Sequence, residues 1–134
     1  MRFLDTNVLL RYYTAGDADK AEAARRLLTE IERGEQKVVT TPMVIFETVF
    51  TLQRSYGVAR EQIKAMVGDI ITLPGIQLAE KKLCLEALEL FVEHRISYAD
   101  AYTVAHMQAR GITAIYSWDS EFDKVEGIDR IEPA

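Results

Sequence analysis

The sequence predicts a helix-rich α/β fold, a three-layer α/β/α sandwich around a mostly parallel sheet. Short apolar, β-branched runs alternate with helical patterns from one end of the chain to the other. No loop is rich in Pro, Gly or Ser, and neither repeats nor low-complexity segments interrupt the alternation. The 134 residues, 49% of them hydrophobic, suffice for one domain with a real core and leave no room for a second, so residues 1–134 are read as a single domain.

The elements follow in order. "RFL" at 2–4 is a short strand, and "DTNVLLRYYTAG" after it reads as a helix ending near Gly16. Between Asp17 and Gly34, residues Ala21, Ala24, Leu27, Leu28 and Ile31 recur at three- and four-residue spacing, which marks an amphipathic helix closed by glycine. "KVVTT" is a buried strand. Thr41-Pro42 starts the next helix, because threonine caps free N–H groups and proline is tolerated in a first turn. This helix runs to about Tyr56-Gly57, and a further one follows in "AREQIKAMVGDIITL". "PGIQLA" turns into a short strand, and "EKKLCLEALELFVEHR" is a long amphipathic helix with Leu83, Ala87, Leu88, Phe91 and Val92 on one face. Ser97 begins a helix that stops at Gly111; "ITAIYSW" is an alternating strand, and residues 128–131 form a last short one.

Composition excludes several classes. The single cysteine, Cys84, permits neither an internal disulfide nor a four-thiolate zinc site, and its apolar helical setting makes it a core residue. The start "MRFLDTNVLLRYY" carries charges at positions 2, 5 and 11 and lacks the apolar segment of a secretory signal; no run approaches the ~20 apolar residues of a membrane span. A cytoplasmic protein is therefore expected. A net charge of −5 is the wrong sign for holding nucleic acid by bulk positive field, so a nucleic-acid substrate requires metal or local arginines to reverse it.

Ligands of open α/β sheets bind at the carboxyl ends of the strands. Asp5 directly follows "RFL", and Asp119 follows "TAIYS". Glu47 is in the second turn of the helix after "KVVTT", and Asp100 in the first turn of the helix that precedes "ITAIYS". All four acids are thus expected at one edge. Close carboxylates repel and shift their pKa values upward unless cations offset them. An oxygen-only ligand set favours hard ions, Mg²⁺ or Mn²⁺. Metal of this kind activates a water, stabilises a leaving oxygen and, as a pair of ions ~3.5–4 Å apart, clamps an in-line displacement. Phosphodiester hydrolysis is the reaction class suggested.

Structural roles stand beside these. Asp5 and Asp119 also suit helix N-caps, and Asp100, three residues after Ser97, nearly matches a capping box. Glu47 fits a structural role least. Met43, Phe46, Phe50 and Thr51 share its face, and Val44, Ile45, Val49 and Leu52 cover the remainder, so the helix is expected to be buried all round. An unpaired carboxylate there would cost several kcal/mol, to be offset by an ion or a distant arginine, of which the ion is the better fit.

"FLDTNVLL", a glutamate in the helix after the second strand, "SYADAYTVAHMQARG" and "YSWDSEFD" together resemble the PIN-domain family, over essentially the whole chain. Its length and opening are similar to the VapC-like toxins of toxin-antitoxin systems. The resemblance implies a PIN-like fold and a Mg²⁺- or Mn²⁺-dependent endoribonuclease, usually a homodimer, held inactive by an antitoxin protein whose tail occupies the groove. Asp5, Glu47, Asp100 and Asp119 match the family's acidic positions, both catalytic and metal-binding. Asn7 fits as a polar group supporting Asp5, and Ser117 stands where the family often has threonine, with its hydroxyl kept. Asp123 is either a weaker ligand through water or part of a solvated turn.

RNA contacts are less legible. Arg11, Arg54, Arg60 and Arg95 are candidates for a groove, and Tyr12, Tyr13 and Tyr98 for stacking, but solvated surface or salt bridges account better for the arginines, and core or dimer packing for the tyrosines. His94 and His106 are not spaced as a metal pair, and neither suits a general base. Three other functions compete. An aspartyl-phosphate enzyme also uses an aspartate after the first strand, but "DTN" lacks the second aspartate common in such phosphatases. A non-catalytic binding module keeps the fold, although four intact acids argue against decay. A PIN-domain RNA-processing nuclease without a toxin role shares all the motifs.

Overall fold

Two residues, β1 (Arg2–Phe3), start the first parallel ladder. The computed structural model describes residues 1–14 and 16–134 and comprises two compact units, Met1–Lys81 and Lys82–Ala134. After β1, the first unit contains α1 (Thr6–Tyr13), α2 (Ala18–Glu32), β2 (Val38–Thr40), α3 (Pro42–Arg54), α4 (Arg60–Ile71) and β3 (Ile76–Leu78). The second contains α5 (Lys81–Glu93, whose first residue closes the first unit), α6 (Tyr98–Ala109), β4 (Ala114–Tyr116), a 3-10 helix (Ser120–Lys124) and β5 (Asp129–Ile131). The fold is α/β and helix-rich, as expected, and every strand pairing among the described residues is parallel.

In the first unit β2 is central, with Phe3 opposite Val39 on one side and Thr40 opposite Leu78 on the other. In the second, β4 pairs with β5 through Ile115 and Arg130. Helix starts follow local chemistry. Asp17 accepts the Lys20 N–H at 3.0 Å and Thr41 accepts the Val44 N–H at 3.4 Å, with Pro42 in the first turn. α2 ends just before Gly34, whose φ of 75° glycine tolerates best. α1 ends sooner than expected, at Tyr13: Thr14 turns to extended backbone (φ −118°, ψ 136°) while its N–H and hydroxyl both bond the Leu10 carbonyl; Ala15, within the stretch expected to be helical up to Gly16, lies outside the described residues.

The first unit buries Leu9, Ile31, Ile45, Val49, Leu52 and Ile63, and the second buries Leu88, Phe91, Ile96 and Val104. Tyr98 joins that second core. Its ring meets Phe91 edge-on and its hydroxyl donates to the Cys84 carbonyl at 3.3 Å, with Cys84 itself fully buried and in no disulfide. Gly75 backs onto the end of α2: a Cβ there would come within 2.2 Å of the Gln36 carbonyl oxygen. Among the described residues no helix is long and apolar enough to cross a membrane.

Candidate active site

In the first unit the end of β1 is tied to β2 on both edges of Leu4. The Leu4 N–H donates to the Val39 carbonyl at 2.8 Å, and the Thr40 hydroxyl donates to the Leu4 carbonyl at 2.9 Å. Asp5 comes next, exposed, in extended backbone at the position that caps α1. Its side chain makes no capping hydrogen bond, so the carboxylate is not consumed by the helix start. Asn7 is also exposed and lines a cleft of about 420 Å³ between α1 and α2, together with Val8, Arg11, Lys20 and Leu27.

Glu47 requires a correction. It lies in the second turn of α3, which begins at the same edge of the ladder as Asp5, but the helix is not buried all round. Val44, Ile45, Thr48, Val49 and Leu52 face the core, whereas Met43 is 69% and Phe50 50% exposed, and Glu47 is exposed between them. On this outer face Phe46 stacks on Phe50 with centroids 5.8 Å apart, and the Arg54 guanidinium lies 5.8 Å over the Phe50 ring. No desolvation cost therefore has to be offset at Glu47.

The second unit brings Asp100 and Asp119 together. Ser97 caps α6, its hydroxyl oxygen accepting the Asp100 N–H at 3.1 Å, which fixes Asp100 in the first turn. Burial raises the Asp100 carboxyl above its ordinary range; the Asp119 charge and a hydrogen bond shared with Asp119 raise it further, Glu121 adds to this, and a hydrogen bond from Ser97 opposes it. Asp119 follows β4. Its N–H donates to the Ser117 hydroxyl oxygen at 2.9 Å, and its Oδ1 accepts the Glu121 N–H at 2.9 Å, capping the 3-10 helix. Asp119 thus serves as a cap and also faces another carboxyl.

Asp123 is engaged elsewhere. Both of its oxygens accept from Arg130, at 3.0 and 3.1 Å, and these bonds hold its carboxyl below the usual range. Sequence reasoning missed Arg130 altogether; its only signal was a basic residue at the centre of a short strand. Among the other candidates, Tyr13 donates to the Met66 carbonyl at 2.8 Å and Tyr98 is buried, so both serve packing. His106 contacts Arg110 at 3.1 Å on the last turns of α6.

The donor chemistry fits a hard divalent cation. Asp100 and Asp119 offer oxygen only, and their mutual repulsion is what a cation relieves. Within either unit, among the described residues, no three of His, Cys, Asp and Glu are grouped closely enough to hold an ion by themselves.

The chain is similar to known proteins over nearly its whole length. The chain is 26% identical over 133 residues to a "VapC ribonuclease" of Aquifex aeolicus (strain VF5), covering 99% of this chain and 97% of that protein. It also matches the crystal structure of Mycobacterium tuberculosis VapC20, described as a sarcin-ricin loop cleaving toxin, at 27% identity over 92% of this chain and 93% of that one, with a TM-score of 0.43. The sequence profile of the PIN domain matches residues 2–128, nearly the whole chain, and spans all four acidic positions. The chain belongs to the PIN domain family.

Proposed function

We propose that the protein is a Mg²⁺- or Mn²⁺-dependent endoribonuclease, the toxin of a toxin-antitoxin pair, in which Asp5, Glu47, Asp100 and Asp119 are the catalytic and metal-binding carboxylates. The observation that carries this reading is the approach of Asp119 to Asp100, a half-buried carboxyl that burial and the Asp119 charge hold above its ordinary range, which marks a place where positive charge is missing. The whole-length likeness to a VapC ribonuclease supports RNA as the substrate and an antitoxin protein as the partner. A bound divalent ion supplies an activated water and neutralises charge on the phosphate. The chain's own residues do the rest. Ser97 holds Asp100 through the cap and Ser117 holds the Asp119 backbone, and Asn7, two residues after Asp5, is assigned the role of supporting it. A cytoplasmic homodimer completes the reading; the exposed Met43 and Phe50 offer apolar surface for a protein partner.

The test is RNA cleavage by the purified chain with Mg²⁺ or Mn²⁺, compared with Asp5→Asn and Asp100→Asn variants that are folded and melt no lower than wild type. Both variants are expected to be inactive. Full cleavage in EDTA would overturn metal dependence. Expression with and without the genomic neighbour, followed by mapping of RNA 5′ ends, tests the toxin role: arrest with discrete new ends is expected only without the neighbour.

A further inference from the structure

Arg130 is the middle residue of β5, and its side chain is only 16% exposed although it carries a full charge. Its guanidinium presents five N–H donors in a rigid fork, and the described contacts use that fork in three directions. Nε and Nη2 donate to the two carboxylate oxygens of Asp123 at 3.0 and 3.1 Å. Nη1 donates to Glu132 Oε1 at 2.9 Å and to the Ser117 backbone oxygen at 3.3 Å. These acceptors lie in the 3-10 helix, just beyond β5, and just after β4.

The Ser117 and Asp123 contacts bracket Asp119. Ser117 precedes it by two residues and accepts its N–H; Asp123 sits in the 3-10 helix whose first turn Asp119 caps through Glu121. One guanidinium therefore grips the segment on both sides of Asp119, and the Ser117 N–H donates to the Ile131 carbonyl at 3.1 Å to fasten the same segment to β5. We propose that Arg130 is a positioning residue for Asp119, and that Asp123 is its anchor, not a metal ligand. This inference rests on Asp119 being one of the catalytic carboxylates.

The fork geometry explains why arginine is needed. A lysine ammonium reaches Asp123 as a point charge, but cannot span both Asp123 oxygens and the Ser117 carbonyl at once. Removing a group that orients a ligand typically costs ~10–100-fold in metal affinity or activity, and two residues acting through one contact do not add when both are removed.

The experiment uses the full chain and measures Mn²⁺ affinity by calorimetry, amide hydrogen exchange at Asp119 and Glu121, and RNA cleavage against Mg²⁺ concentration. The variants are R130A, R130K, R130Q, D123N, R130A/D123N and D119N. R130A and D123N are each expected to weaken Mn²⁺ binding and cleavage by ~10–100-fold, with faster exchange at both amides. R130K is expected to recover only part, and the double variant to be no worse than R130A. Wild-type Mn²⁺ affinity and exchange in R130A overturn the proposal. So do losses that multiply in the double variant, which would give Asp123 an independent role. If R130A fails to fold, R130Q and D123N carry the same comparison. D119N separates the two levels: cleavage lost in D119N but normal in R130Q and D123N removes only this inference, whereas normal cleavage in D119N removes the reading on which it rests.

Discussion

The carboxyl of Asp100, in the first turn of α6, faces that of Asp119, which follows β4, and together with burial this holds Asp100 above the usual carboxylate range. A carboxyl that binds its proton more tightly when folded stabilises the fold when protonated. That stability is full below the unfolded value of ~3.9 and is lost as pH rises through the raised folded value. Asp100→Asn, which removes the charge, should therefore raise Tm at pH 7 by on the order of 1–3 °C, the small size reflecting solvent screening of a half-exposed group. The gain should vanish below pH ~4. Thermal melts from pH 3 to 8 check both; an unchanged or lowered Tm at pH 7 would show that the pair is not strained.

Ser97 acts on Asp100 twice, through the backbone cap and through a hydrogen bond that favours the ionised carboxylate. Ser97→Ala should cost ~0.5–2 kcal/mol of stability as a lost N-cap. It should also push the Asp100 carboxyl higher still, since the bond that opposed burial is gone. Urea denaturation reads the first effect and a carboxyl NMR titration the second. A downward shift of the Asp100 titration in the variant would contradict the assigned role.

Gly75 is a position where the backbone, and not the side chain, sets the requirement. Its N–H donates to the Ile31 carbonyl at 3.1 Å, and a Cβ would meet the Gln36 and Ile31 carbonyl oxygens at 2.2 and 2.7 Å. The Ile31 oxygen belongs to α2 and the Gln36 oxygen to the segment between α2 and β2, so relief would require backbone to move in one or both. Gly75→Ala should cost ~1–3 kcal/mol or more, read as a lower urea midpoint, whereas Gly68→Ala in α4, with open space around it, should cost nothing and gain slightly in helix propensity.

Much of this was legible in the chain because local signals agreed with one another. Thr41-Pro42, Ser97, Gly34 and Gly111 punctuate the pattern where helices in fact begin and end. Periodicity, by contrast, reports which residues are apolar and not what covers them. Residues 42–52 read as buried all round, but on the outer face Phe46, Phe50 and Arg54 only stack on one another, and Met43, Glu47 and Phe50 stay exposed. Arg130 was invisible for a related reason. Glu132 is two residues away, but the partners that matter for Asp119, Ser117 and Asp123, lie 13 and 7 residues away, on the far side of the β4–β5 pairing.

The exposure of Glu47 yields the clearest separation of structure from chemistry. The core side of α3 is Val44, Ile45, Thr48, Val49 and Leu52, so the helix is held without Glu47, and Thr41 with Pro42 fixes its start. Glu47→Gln preserves the shape and helix propensity of the side chain and removes only the charge. Stability should stay within ~0.5 kcal/mol of wild type, as for an ordinary surface substitution. If Glu47 is one of the catalytic carboxylates, RNA cleavage should nevertheless fall by more than ~10-fold and Mn²⁺ affinity should drop with it. Urea denaturation, calorimetry and cleavage on one preparation decide the matter: cleavage and Mn²⁺ binding both at wild-type level would remove Glu47 from the site and leave Asp5, Asp100 and Asp119 to carry the chemistry.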